Sequence, residues 1–133
     1  MTTDKNITIV SQKDVTAAGI NLRSDGIIHI NFKQIEELTP AYVYEIFESV
    51  KEMGGGKKYP TLITVKKHMY IGEETRKIWA DGKKNCYSSA EAMILYNIAI
   101  KLIGNFFIQF HKPERPTRMF DNEEKGIEWL LTR

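Results

Sequence analysis

A run of period-two alternation, broken by Asp25-Gly26, sets the frame for this chain. Ile20 and Leu22 alternate with polar residues, Ser24-Asp25-Gly26 follows, and Ile28, Ile30 and Phe32 then alternate again. Alternation on both sides of an Asp-Gly pair predicts an antiparallel β-hairpin. His29 falls on the face opposite Ile28 and Ile30. From there to the C-terminus, helix-like and strand-like segments take turns. Thr39 is a good N-cap and Pro40 suits a first helical position. Val43, Ile46, Phe47 and Val50 then recur at helical spacing. Gly54-Gly55-Gly56 stops that helix, because glycine accepts the left-handed conformation a helix C-terminus demands.

Beyond Pro60, residues 61–65 read as a strand, and Gly72-Glu73-Glu74 begins a helix that runs to about Lys83. Residues 90–96 read as a buried strand, 97–110 as a helix and 117–120 as a short strand. Asp121, with Glu124 three residues on, looks like the capping box of a last helix whose buried side is Ile127, Leu130 and Leu131. A hairpin followed by αβαβαβα predicts an α/β fold. Its single mixed β-sheet starts with the N-terminal antiparallel hairpin and continues in parallel, right-handed βα units, flanked by about four helices.

The length of 133 residues suits one domain. Residues 1–16 are polar apart from Ile7, Ile9 and Val10, and form either a tail or an edge strand; residues 17–133 form the single α/β domain. Hydrophobic residues at 42% and charged residues at 27% are the balance of a globular protein, not of a disordered one. Cys86 is the one cysteine, so no disulfide framework is expected, and a lone cysteine reads as a small buried hydrophobe. The first residues lack the apolar core of a signal peptide, and no apolar run approaches the roughly 18 residues of a membrane span. These features set a cytoplasmic expectation. A net charge of +2, with the lysine pairs 57–58, 66–67 and 83–84 scattered, argues against nucleic acid as a partner.

No catalytic, cofactor-binding or metal-binding residue is assigned, and no cofactor is expected. The glycines at 54–56 follow a helix, the reverse of a phosphate-binding loop. His29, His68 and His111 have no metal-ligand spacing, Cys86 adds no second thiolate, and no G-x-S-x-G elbow is present. Glu73 and Glu74 complement a helix dipole. His111 and Glu114 could form an acid–base pair, the basis of a weaker enzymatic alternative. His111 is better explained as a cationic cap at a helix C-terminus.

The helix at 97–110 stands apart. Its polar residues Asn97, Lys101, Asn105 and Gln109 recur every four positions, so they form one narrow stripe. The rest is apolar or small, more than one sheet face covers. Three readings stand: flanking elements cover it, it is a homodimer contact, or it lines a pocket for an apolar small molecule or lipid. The candidate residues for a dimer or apolar-ligand surface are Ile100, Ile103, Phe106, Phe107 and Phe110. At about 14 residues the helix is too short to span a bilayer.

Several stretches resemble a known family. They are Asp25-Gly26-Ile27-Ile28, Gly54-Gly55-Gly56-Lys57-Lys58 with Pro60, Glu74-Thr75-Arg76-Lys77 with Trp79-Ala80, and Ile103-Gly104-Asn105-Phe106-Phe107. Lys112-Pro113, Pro116-Thr117-Arg118-Met119-Phe120, and Glu123-Glu124 with Glu128-Trp129-Leu130 complete the set. In this order they resemble small bacterial STAS-like proteins grouped with the SpoIIAA-like (STAS/SEC14-type) domains, over roughly residues 20–131. The resemblance implies a sheet flanked by helices and regulatory protein–protein contact instead of catalysis. In the anti-sigma-factor antagonists of that superfamily, phosphorylation of a serine in an Asp-Ser-Ser-Gly-Leu-type motif breaks a partner contact. The matching stretch here, Met69-Tyr70-Ile71-Gly72-Glu73-Glu74-Thr75, lacks that motif, and Thr75 is the nearest hydroxyl. The candidate partner loop is therefore Met69, Tyr70, Ile71, Gly72, Glu73 and Thr75. The expectation is a non-enzymatic regulatory or scaffold domain, homodimeric and with a protein partner. The alternative is a small carrier of an apolar ligand or lipid.

Overall fold

The computed structural model describes residues 6–133, without the side chains of Ile98, Ala99, Ile103, Asn105, Phe106, Gln109 and Phe110. Ten elements follow one another: β1 (Ile9–Asp14), β2 (Ala18–Arg23), β3 (Ile28–Phe32), α1 (Pro40–Gly54), β4 (Tyr59–Val65), α2 (Glu73–Ala80), β5 (Ser88–Leu95), α3 (Ile98–His111), β6 (Thr117–Phe120) and α4 (Glu123–Leu130). The six strands form one sheet in sequence order. β1, β2 and β3 pair antiparallel; β3 to β6 pair parallel. The mixed α/β architecture expected from the alternation is the one observed. The segment before the hairpin supplies the edge strand β1, with a register shift between Ile9 and Ser11.

Local chemistry accounts for the element ends. Thr39 Oγ1 accepts the Tyr42 amide at 3.2 Å, and Gly55, at φ 62°, closes α1. Asn97 caps α3 by accepting the Ile100 amide at 3.2 Å. The last helix departs from expectation by one residue. Asn122, not Asp121, is its cap, accepting the Lys125 amide at 2.9 Å. Asp121 instead pairs with Lys101 at 2.8 Å. Both side chains can cap; the ion pair to α3 draws Asp121 away and leaves the role to its neighbour.

Strands advancing in one direction, with crossovers of one hand, place their connecting helices on one face. α1, α2 and α3 accordingly share a core with Ile20, Ile28, Ile30, Phe32, Ile63, Val65 and Leu95. α4 packs on the opposite face, where Ile127 and Leu130 meet Leu62, Ala90, Ala92 and Ile94. α4 lies over β4 and β5 and also touches β6.

Candidate functional site

A crevice lies at the carboxyl ends of β4 and β5, between α2 and α3. This is the end of parallel strands where α/β sheets bind other molecules. Val65 and Leu95 end the two strands and form the floor with Phe32, Ile63 and Met93. Trp79 of α2 and Ile100, Gly104 and Phe107 of α3 form the sides. The cavity measures about 80 Å³ and is apolar apart from His68, Thr75 and Arg76.

Two features hold it in shape. The loop after β4 is sewn to the segment before α1: the Leu38 amide donates to the Tyr70 carbonyl at 2.9 Å, and the Tyr70 amide to the Glu36 carbonyl at 2.8 Å. That stitching turns Met69 and Ile71 inward while Tyr70 stays 60% exposed. On the other side, a Cβ at Gly104 would meet the side chains of Leu95 and Met119, so glycine lets α3 approach β5 closely.

The structure brings together parts of both candidate surfaces. Met69 and Ile71 of the candidate segment 69–75, which runs from the loop into α2, line the same crevice as Ile100 and Phe107 of α3. Ile100 and Phe107 are each only 6% exposed, so their side chains face the interior. The side chains of Ile103, Phe106 and Phe110 lie outside the described residues. Leu102, which the expected surface omitted, is 65% exposed and is the most outward apolar residue among the described side chains of α3. Gly72 is the N-cap of α2, and Glu73 pairs with Lys77 one turn on at 3.3 Å. Thr75, the nearest hydroxyl to the missing phosphorylation motif, is 3% exposed.

His111 and Glu114 are engaged in different places. The His111 ring stacks on Phe107 with centroids 6.0 Å apart, and its pKa is lowered, first by burial and then by Arg76. Glu114 Oε1 accepts the Gly82 amide at 3.0 Å, in the turn after α2.

Sequence reasoning missed a buried polar network on the same face of the sheet. Glu91 Oε1 accepts the Trp79 indole N–H at 3.0 Å, and Oε2 accepts from Asn85 Nδ2 at 3.1 Å and from Arg115 Nε at 3.2 Å. The Arg115 guanidinium also donates to the carbonyls of Trp79 and Ala80. Every charge in the network is partnered, so it clamps the segment before β6 to the end of α2. The available signal was parity: Glu91 shares a strand face with Met93 and Leu95, and a carboxylate on a buried face needs a partner.

On the α4 side, His29 Nε2 lies 3.0 Å from Thr64 Oγ1, which donates to Asn31 Oδ1 at 2.6 Å. With its proton committed to Asn31, the Thr64 hydroxyl accepts from His29, which places the imidazole proton on Nε2. Burial lowers the His29 pKa, against a smaller opposing effect of Glu123. Among the described residues, no group of three or more His, Cys, Asp or Glu side chains is arranged to hold a metal ion. No helix among them is long and apolar enough to cross a membrane.

A family model described as a domain of unknown function (DUF7793) matches residues 20–132. The chain belongs to the DUF7793 family. The match begins within β2 and ends after α4, so it takes in the crevice and the buried network. No curated protein matches this DUF7793 chain. A crystal structure of a protein with unknown function from Arthrobacter sp. FB24 is 20% identical, with a TM-score of 0.32, over 86% of this chain and 100% of that one.

Proposed function

We propose that this chain is a non-enzymatic interaction domain that receives one small apolar side chain of a protein partner in the crevice between α2 and α3. The size of the crevice carries the reading. Sites for drug-sized ligands occupy roughly 300–1,000 Å³, and an engineered apolar cavity of about 150 Å³ takes up a molecule as small as benzene or xenon. At about 80 Å³ this crevice suits a single anchor of leucine size. Such anchors, seated in preformed apolar pockets, dominate interface energetics. A lipid carrier would need α3 to move away from the sheet, against the close approach at Gly104. The resemblance to STAS-like regulatory domains supports the same reading, with the loop 69–72 in the contact. A buried Thr75 speaks against phosphorylation there as its switch.

Site-specific photo-crosslinking in the producing cells tests this. A benzophenone side chain replaces Ile71 at the crevice, or Gln12 on the edge strand as a control. A discrete adduct from position 71 alone is expected, and its mass separates a second copy of this chain from a different protein. No adduct from 71, or the same adducts from both positions, overturns the proposal.

A further inference from the structure

The loop after β4 has one bonded edge and one open edge. In an extended chain, the main-chain N–H and C=O of successive residues point to opposite sides. Tyr70 uses both of its groups on one side: its amide donates to the Glu36 carbonyl at 2.8 Å, and its carbonyl accepts the Leu38 amide at 2.9 Å. These two bonds make a single parallel bridge between Glu37 and Tyr70. The main-chain groups of Met69 and Ile71 point the other way, and among the described residues none of them has a hydrogen-bond partner. Met69 is only 6% exposed, and buried main-chain polar groups are nearly always paired.

Strand order says where the open edge lies. Segment 36–38 follows β3 and residues 66–71 follow β4, with β5 on the other side of β4. The open edge is therefore on the β5 side, past Leu95, where β5 has ended and α3 is about to begin. Met69 and Ile71 also line the crevice with their side chains. An unpaired stretch of backbone and an apolar pocket thus border each other.

We infer that the protein partner enters as an extended segment, which adds a short strand to the open edge of 69–71 while one of its alternate side chains fills the crevice. This rests on the interaction reading above and adds the backbone form of the partner. The Ile71 amide donates to a carbonyl of the segment, and the Met69 carbonyl accepts one of its amides. In strand addition of this kind, main-chain bonds supply affinity and a pocket for alternate side chains supplies selectivity. The anchor's two neighbours then face outwards beside Tyr70, so an apolar residue flanked by polar ones fits best. A hydrocarbon can fill the pocket but leaves the main-chain groups unpaired.

NMR of the ¹³C,¹⁵N-labelled protein tests it with two probes: the peptide acetyl-Thr-Leu-Thr-methylamide, and isobutane, which has the shape of a leucine side chain and no backbone. Both should shift the Ile71 and Leu95 methyls, the peptide with a roughly millimolar Kd. At saturation the peptide should slow hydrogen exchange of the Ile71 amide about fivefold or more and move the Met69 carbonyl carbon downfield. Isobutane should do neither. A peptide that shifts the methyls without touching the Ile71 amide or the Met69 carbonyl, or isobutane that protects the amide equally, overturns this inference and leaves the crevice reading standing. A peptide that leaves the crevice methyls unmoved overturns both.

Discussion

Arg115 and Glu91 form an ion pair, Nε to Oε2 3.2 Å, with side chains only 4% and 1% exposed. The pair ties the segment before β6 to β5, while Arg115's remaining donors hold the last carbonyls of α2. Removing one member leaves the other charge buried and unpaired, which costs about 3–5 kcal/mol. Arg115→Met and Glu91→Leu should each lower the urea midpoint strongly, while the double variant should recover part of the loss. A double variant as unstable as the sum of the singles would show that the two side chains act independently.

Acid should weaken the protein through His29. Burial lowers its pKa below the ordinary 6.5, so the folded state binds that proton less readily than the unfolded chain. The linked stability is intact above the ordinary pKa and is lost as pH falls through 6.5 towards the lower folded value. His111 is shifted in the same direction, so the comparison needs a variant. Between about pH 7.5 and about pH 5, wild type should lose more stability than His29→Gln. Equal losses would remove His29 from the account. At neutral pH, imidazole ¹⁵N shifts should show the proton on Nε2.

Gly126 is where α4 touches the sheet. A Cβ there would stand 2.9 Å from Ile94 Cδ1, 3.3 Å from Ala92 Cβ and 3.4 Å from Leu62 Cδ1. The Ala92 methyl cannot turn aside, so a larger side chain must lift the helix. Gly126→Val should cost about 2 kcal/mol by chemical denaturation, while Lys125→Ala, on the exposed side, should change little. Unaltered stability in Gly126→Val would mean that α4 is loosely held.

Much of this architecture was legible because local rules and tertiary packing agree. Asp25-Gly26 between alternating runs, Thr39-Pro40 and the glycines at 54–56 mark their elements in the expected places. The cap of α4 was not legible, because Asp121 and Asn122 cap equally well and an ion pair to Lys101 decides between them. The crevice was half legible. The over-apolar α3 pointed to it, but only the fold shows that Ile100 and Phe107 turn inward and that Met69 and Ile71 join them. The contact of Glu91 with Arg115 spans 24 positions, and nothing in local spacing reveals such a pairing.

The central claim is an open apolar crevice that accepts one small group. Xenon binds such cavities without any polar contact, and methyl NMR of xenon-saturated protein reads it directly. The account predicts saturable shifts of the Ile63, Val65, Ile71, Leu95 and Ile100 methyls, lost in Ile71→Trp, whose indole fills the mouth. Unmoved crevice methyls, or shifts spread evenly over both faces of the sheet, would contradict it.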